Sequence, residues 1–175
     1  YVRSDNGQDD AGLTTNFDQP GLTDFGYGDL PNHRKHTIKA FGYYRLADIG
    51  NGSLQLGANA SWISGRPKNC FGVHPTDDFA AAYGDESFFC DGEPTPRGSL
   101  GTTSDVFRLD VNTQYTFEMG DSELDVSLDV FNVFNMQKPT EINESEPRGG
   151  INPYSGLTTA YQSPRQYRVS LRFTL

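Results

Sequence analysis

Side chains able to do chemistry are thinly spread along this chain. The three histidines, His33, His36 and His74, are scattered, and no GxSxG, HExxH or phosphate-cradling glycine loop occurs. Nothing supports catalysis, and no cofactor or metal is assigned. The densest set of ligand-type groups is Asp77, Asp78, Asp85, Glu86, Asp91 and Glu93. Oxygen donors in that number suit calcium or a metal chelate, yet their spacing fits neither an EF-hand nor a repeat. The same acids also suit a solvated loop. Phe79, Tyr83, Phe88 and Phe89 stand among them. They either line a ligand entrance or pack on a neighbouring loop. Cys70 and Cys90 bracket this stretch. They form a disulfide, or else two free thiols or a metal pair, and their compartment decides which.

The chain has 175 residues and a formal charge of -9. That balance argues against a nucleic-acid partner, because phosphate binding needs basic patches. The sequence opens at Tyr1 with no initiator methionine, signal peptide or apolar run of helical-span length. The expectation is a mature product or a fragment.

The elements that position these residues show best at the chain's end. In Gln166–Leu175, Tyr167, Val169, Leu171, Phe173 and Leu175 alternate with Arg168, Ser170, Arg172 and Thr174. A two-residue period gives a strand with one apolar and one polar face. Two arginines on one short face would be costly in a soluble core, but they suit a strand between lipid and a watery lumen. Alternation predicts four more strands, over about 36–46, 54–64, 105–117 and 123–134. Asn51-Gly52 and Gly120-Asp121 mark tight turns between them. Residues 1–35, 65–104 and 135–164 carry no lasting period and read as loops.

Long and short connections therefore alternate, as they do in bacterial outer-membrane barrels. The strand lengths suit a tilted membrane strand of about 9–11 residues. Parity runs the last strand inward, with a periplasmic C-terminus and extracellular long loops. Known barrels start at about eight strands, and five would leave two open edges in hydrocarbon. The expectation is the C-terminal piece of a longer polypeptide, or one part of a split barrel. An oxidising compartment then favours the Cys70–Cys90 disulfide, at roughly 3 kcal/mol of loop-closure stabilisation.

The run DVFNVFN (Asp129–Asn135) resembles the penultimate strand of TonB-dependent outer-membrane receptors. So do the SGRP run (Ser64–Pro67) and the closing Tyr-Arg-Val-Ser-Leu-Arg-Phe strand. The Cys-bracketed loop, PRGSLG (Pro96–Gly101), the Asn143-Glu144 pair and YQSPR (Tyr161–Arg165) resemble the Oar-like branch of that family. The resemblance implies an all-β fold: the last five antiparallel strands of a 22-stranded barrel. It further implies a plug domain, energy through TonB, and uptake of a large scarce nutrient such as a metal chelate, cobalamin, glycan or peptide. Outer-membrane lipids, the barrel-assembly machinery and a surface lipoprotein or other subunit are the expected partners. Assembly would read the strand of Tyr167, Val169, Leu171, Phe173 and Leu175, although family members usually end on an aromatic residue and this chain ends on Leu175.

Two further expectations concern the wall. If the last two strands pair directly, Asp125 sits level with Arg172 and Asp129 with Arg168, as lumen ion pairs or as a polar substrate path. Tyr115, Phe117 and Phe173 would band at one membrane interface, with Trp62, Phe107 and Tyr167 at the other. A soluble, disulfide-stapled sandwich has no reason to band them so. A different alternative keeps the barrel as an anchor for an adhesive or secretion-related surface protein whose loops bind a partner.

Overall fold

The computed structural model describes residues 19–46 and 49–175, and the backbone of 3–5. Residues 1–2 and 6–18 of the expected opening loop, and Asp48 of the first expected turn, lie outside these residues. In chain order the strands are β1 (Arg3–Asp5), β2 (Tyr27–Asp29), β3 (Thr37–Leu46), β4 (Gly52–Ile63), β5 (Phe89–Cys90) and β6 (Glu93–Pro94). They continue with β7 (Val106–Met119), β8 (Ser122–Phe131), β9 (Pro139–Ile142), β10 (Thr158–Tyr161) and β11 (Gln166–Thr174). Among the described residues a short α-helix, α1, spans Asp78–Ala81. No helix among the described residues is long and apolar enough to cross a membrane.

The chain divides into two units. The sheet unit comprises Thr37–Ile63, Val106–Lys138 and Gln162–Leu175. Its five strands form one antiparallel sheet of order β11-β8-β7-β4-β3. Directly opposed residues in an antiparallel pair share a face, so the register fixes what each face carries. Leu124, Val126, Leu128 and Val130 of β8 stand opposite Phe173, Leu171, Val169 and Tyr167 of β11. On the other side they meet Phe117, Tyr115, Thr113 and Val111 of β7. The row continues through Trp62, Ala60 and Ala58 of β4, opposite Phe107, Leu109 and Val111, to Ile38, Ala40 and Gly42 of β3. One face is thus largely apolar across all five strands, with Thr113 and the tyrosine hydroxyls among its few polar groups. It is open: Val169, Leu171 and Phe173 are 69%, 70% and 57% exposed.

Burial in this unit is inverted relative to a water-soluble core. Among the described residues its buried side chains are Ser53, Asp129, Asn132 and Gln162, all polar, and every buried hydrophobic residue lies in the other unit.

Two strand ends depart from the sequence reading. The period through DVFNVFN predicts a strand to about Phe134, but β8 stops at Phe131. Asn132 and Asn135 each take φ +51°, a left-handed conformation that asparagine tolerates. Asn51-Gly52 does sit at a hairpin end, but Gly52 already belongs to β4. A Cβ there would lie 1.9 Å from the Thr116 carbonyl oxygen, so the two strands approach closely because position 52 has no side chain. At the other hairpin Gly120 takes φ +68° at the first position of a two-residue turn.

The loop unit comprises Tyr1–His36, Ser64–Asp105 and Pro139–Tyr161. The sequence shows only loops here, whereas the structure pairs β1 with β2, β5 with β6 and β9 with β10. Strands of two to four residues are too short to display a period. Cys70 and Cys90 are disulfide-bonded, with Cα atoms 5.6 Å apart.

Gly52→Ala is expected to cost about 1–3 kcal/mol, as an overpacked site does. A drop in the urea-unfolding midpoint with an unchanged m-value would register it; an unchanged midpoint would mean that β4 and β7 separate freely at this end.

Candidate functional site

The loop unit owes its order to a few buried side chains. Phe88 and Phe89 sit at its centre with Leu22, Cys70 and Ala80. Phe89 meets Phe25 edge-on at 5.4 Å and the His74 ring at 4.6 Å, while Phe71 packs on Phe88 at 5.1 Å. Arg97 lies over the Phe88 ring at 4.6 Å, and its Nε donates to the Gly26 carbonyl at 2.6 Å. His74 Nδ1 accepts from the backbone N–H of Asp77 at 2.9 Å, which leaves the proton on Nε2, 3.3 Å from Asp24 Oδ2.

These contacts correct the entrance reading for two of its four aromatics. Phe88 and Phe89 are core residues of the unit rather than a rim. Tyr83 is half-buried, and Phe79 is 73% exposed.

The acids also find structural work. Asp77 caps α1, accepting from the N–H groups of Phe79 and Ala80 at 2.9 and 3.2 Å. Asp91 accepts from the Gly149 N–H at 2.7 Å, and Asp85 pairs with Arg148. That hydrogen bond, and then the Asp85 charge, raise the Arg148 guanidinium above its ordinary pKa. Among the described residues no group of three or more His, Cys, Asp or Glu side chains is arranged to hold a metal ion.

Sequence reasoning missed the unit's polar hub. Arg66 is 4% exposed and forms ion pairs with Glu141 at 2.9 Å and Glu144 at 3.1 Å. Glu144 in turn accepts from the Asn69 backbone N–H at 2.9 Å, and Asn69 Oδ1 accepts from the Gly98 N–H at 2.7 Å. Segments far apart in sequence are joined through this one carboxylate. Arg34 also feels the hub: burial, then the charge of Arg66, lower its pKa, with Glu141 opposing. The signal was in view, since Arg66 lies in SGRP, Arg97 in PRGSLG and Glu144 in the Asn-Glu pair. Each motif was legible, but not the partnership. Beside the hub, a cleft of about 450 Å3 is lined by Asp85, Glu86, Glu141, Asn143 and Ser145, with Phe71 the aromatic in its wall.

Charge divides sharply between the units. Seven basic and sixteen acidic residues fall in the loop unit, against seven and seven in the sheet unit. The entire charge of -9 therefore belongs to the loop unit.

On the polar face of the sheet, Arg168 stands opposite Asp129 and Arg172 opposite Asp125. Asp129 accepts from Arg168 Nε at 2.8 Å and from Asn112 Nδ2 at 2.6 Å. The second pair shares a level without an ion pair, and Asp125 accepts from Thr116 Oγ1 at 2.5 Å. Of the expected aromatic bands, Phe117 and Phe173 share one row through Leu124, and Trp62 opposes Phe107. Tyr115 lies two residues along β7 from Phe117, its ring 4.5 Å away. Tyr167 is in the row of Val130 and Val111, four residues along β7 from Phe107.

Over 98% of its length the chain is 33% identical to the TonB-dependent transporter Oar of Myxococcus xanthus, and it spans 19% of that protein. The chain is a relative of that transporter, and the resemblance carried by its short motifs extends along nearly all of it. No family model matches the chain, and no solved structure matches it.

Arg66→Ala strands Glu144 in a largely buried site, at an expected cost of about 3 kcal/mol or more. Arg148→Ala, at an exposed pair, changes stability far less. Replacing both cysteines by serine removes roughly 3 kcal/mol. Limited proteolysis of residues 64–105 reads both effects: faster cleavage in the Arg66 and cysteine variants than in Arg148→Ala is the expected order.

Proposed function

We propose that this chain is the C-terminal wall segment, with its long connections, of a TonB-dependent outer-membrane transporter whose barrel has 22 strands. The observation that carries the reading is the sheet whose one face is apolar across five strands and uncovered, while its buried side chains are polar. Lipid satisfies that face, and a watery lumen satisfies the other. The open edges of β3 and β11 are then completed by the remaining strands, because an unpaired edge in hydrocarbon costs several kcal/mol per unmet backbone group. The relationship to a transporter that this chain spans only in part supports the same view.

In this reading the long connections are extracellular and the tight turns and C-terminus periplasmic. Energy comes from TonB through a plug domain supplied by the rest of the polypeptide. The cargo is a large scarce nutrient, of the kind of a metal chelate, cobalamin, glycan or peptide. The loop unit meets that cargo first. Its net charge of -9 raises the local concentration of cationic solutes and lowers that of anionic ones, an effect that salt screens.

Membrane burial of the apolar face is tested in the full-length protein by Leu171→Arg against Ser170→Arg. The first is expected to cost about 2–4 kcal/mol near the bilayer midplane and to reduce heat-modifiable, assembled barrel; the second leaves assembly unchanged. Equal behaviour would remove the lipid-facing assignment. Transport is tested by growth of a strain lacking the protein on an iron chelate, cobalamin, a glycan or a peptide as scarce source, with and without TonB. A defect that appears only with TonB present supports a transporter, and no defect on any of them overturns it.

A further inference from the structure

The two asparagines of the DVFNVFN run have no role in the function above, and the structure gives them one. β8 and β11 pair over nine residues, yet they are joined by the long connection Asn132–Arg165. A tight turn fixes the register of the strands it joins, and a connection of this length does not. The apolar pattern excludes only odd slips, because a one-residue shift exchanges the faces. A two-residue slip keeps both Val169 and Leu171 on the apolar face, Val169 opposite Val126 or Val130 and Leu171 opposite Leu124 or Leu128. Among side-chain contacts between the two strands, it breaks the Asp129–Arg168 pair and displaces Arg168 along the Phe131 ring it overlies at 5.3 Å. Something else must select the observed register.

Asn132 and Asn135 sit where that selection has to be made. Asn132 is buried. Its Nδ2 donates to the Ser163 carbonyl at 2.8 Å and to the Met136 carbonyl at 2.9 Å. Its Oδ1 accepts from the Met136 N–H at 3.1 Å, and its own backbone N–H donates to Asp110 Oδ1 of β7 at 2.9 Å. Asn135 Oδ1 accepts from the Arg165 N–H at 2.9 Å, and its backbone N–H donates to the Asn132 carbonyl at 2.8 Å. The end of β8 is thereby bonded to Ser163 and Arg165, immediately before β11 begins. Gln162 adds a second tie from the same segment, donating through Nε2 to the Phe107 carbonyl of β7 at 2.7 Å.

We infer that Asn132 and Asn135 are positioning residues: a clamp that fixes the register of β11 on β8 where the connecting loop does not. The left-handed backbone at both positions turns the chain out of the strand and aims the two carboxamides back at the incoming segment. A slip of two residues would move Ser163 and Arg165 by about 6–7 Å along the strand, beyond the reach of either side chain.

Cysteine pairs report the register in the full-length protein, scored by loss of maleimide labelling after mild oxidation. L128C/V169C matches the observed register; L128C/L171C and L128C/Y167C match slips of two in either direction. With both asparagines present, only the first pair closes. Asn132→Asp keeps the left-handed preference but loses the two donated bonds. Asn132→Gly keeps the backbone freedom and loses the side chain. Each is expected to shift closure about tenfold from the first pair towards a slipped one, as the loss of bonds worth about 1 kcal/mol or more does. Asn135→Ala, which removes one bond, shifts it less and serves if the Asn132 variants do not assemble. Unchanged closure of the first pair in all three overturns the clamp. So does a glycine variant indistinguishable from the parent, since the turn alone would then suffice.

Discussion

A single constraint underlies this structure: in every paired strand, the two-residue side-chain period must stay in phase with that of its neighbour. Five strands keep that phase, and a continuous apolar face results. A slip of one residue in any ladder would interleave arginines and aspartates with leucines on both faces. The sheet has no second layer of its own to absorb such an error, because its apolar side is open. Register here carries the discrimination that side-chain packing carries in a soluble domain.

The two units solve opposite problems. The loop unit is folded as small extracellular modules are, with little apolar volume, a disulfide, and a charged hub in place of a large core. Arg66 is held by two carboxylates, and the better buried of them, Glu144, is satisfied in addition by backbone and side-chain donors. The sheet unit buries polar groups and leaves apolar ones outside. In water that arrangement leaves its apolar face unsatisfied. The charge division follows the same line: the sheet is neutral and the loop unit holds the whole excess.

The fold was largely legible where periodicity is long. The alternation in Gln166–Leu175 and in the four other strands carried the sheet, its hairpins and its faces. Matching charge order placed Asp129 opposite Arg168 and Asp125 opposite Arg172. It did not show that Asp125 would bond to Thr116 on the other neighbouring strand, because charge order along two strands says nothing of the hydroxyls on a third. The end of β8 was misread because asparagine satisfies an alternating pattern and also tolerates a left-handed backbone, and the pattern alone cannot choose. Phe88 and Phe89 were open to two readings because an aromatic residue among acids suits a ligand rim as well as a small core.

What the sequence determined by itself is therefore local and periodic: which segments are strands, which face of each is oily, where the tight turns fall, and which family the motifs resemble. These follow from side-chain spacing along one strand, which needs no partner to be read. The tertiary structure alone decided which distant motifs meet. Arg66 and Glu144, or Asn132 and Ser163, are separated by long aperiodic stretches, and a hydrogen bond between them leaves no mark on the spacing of either.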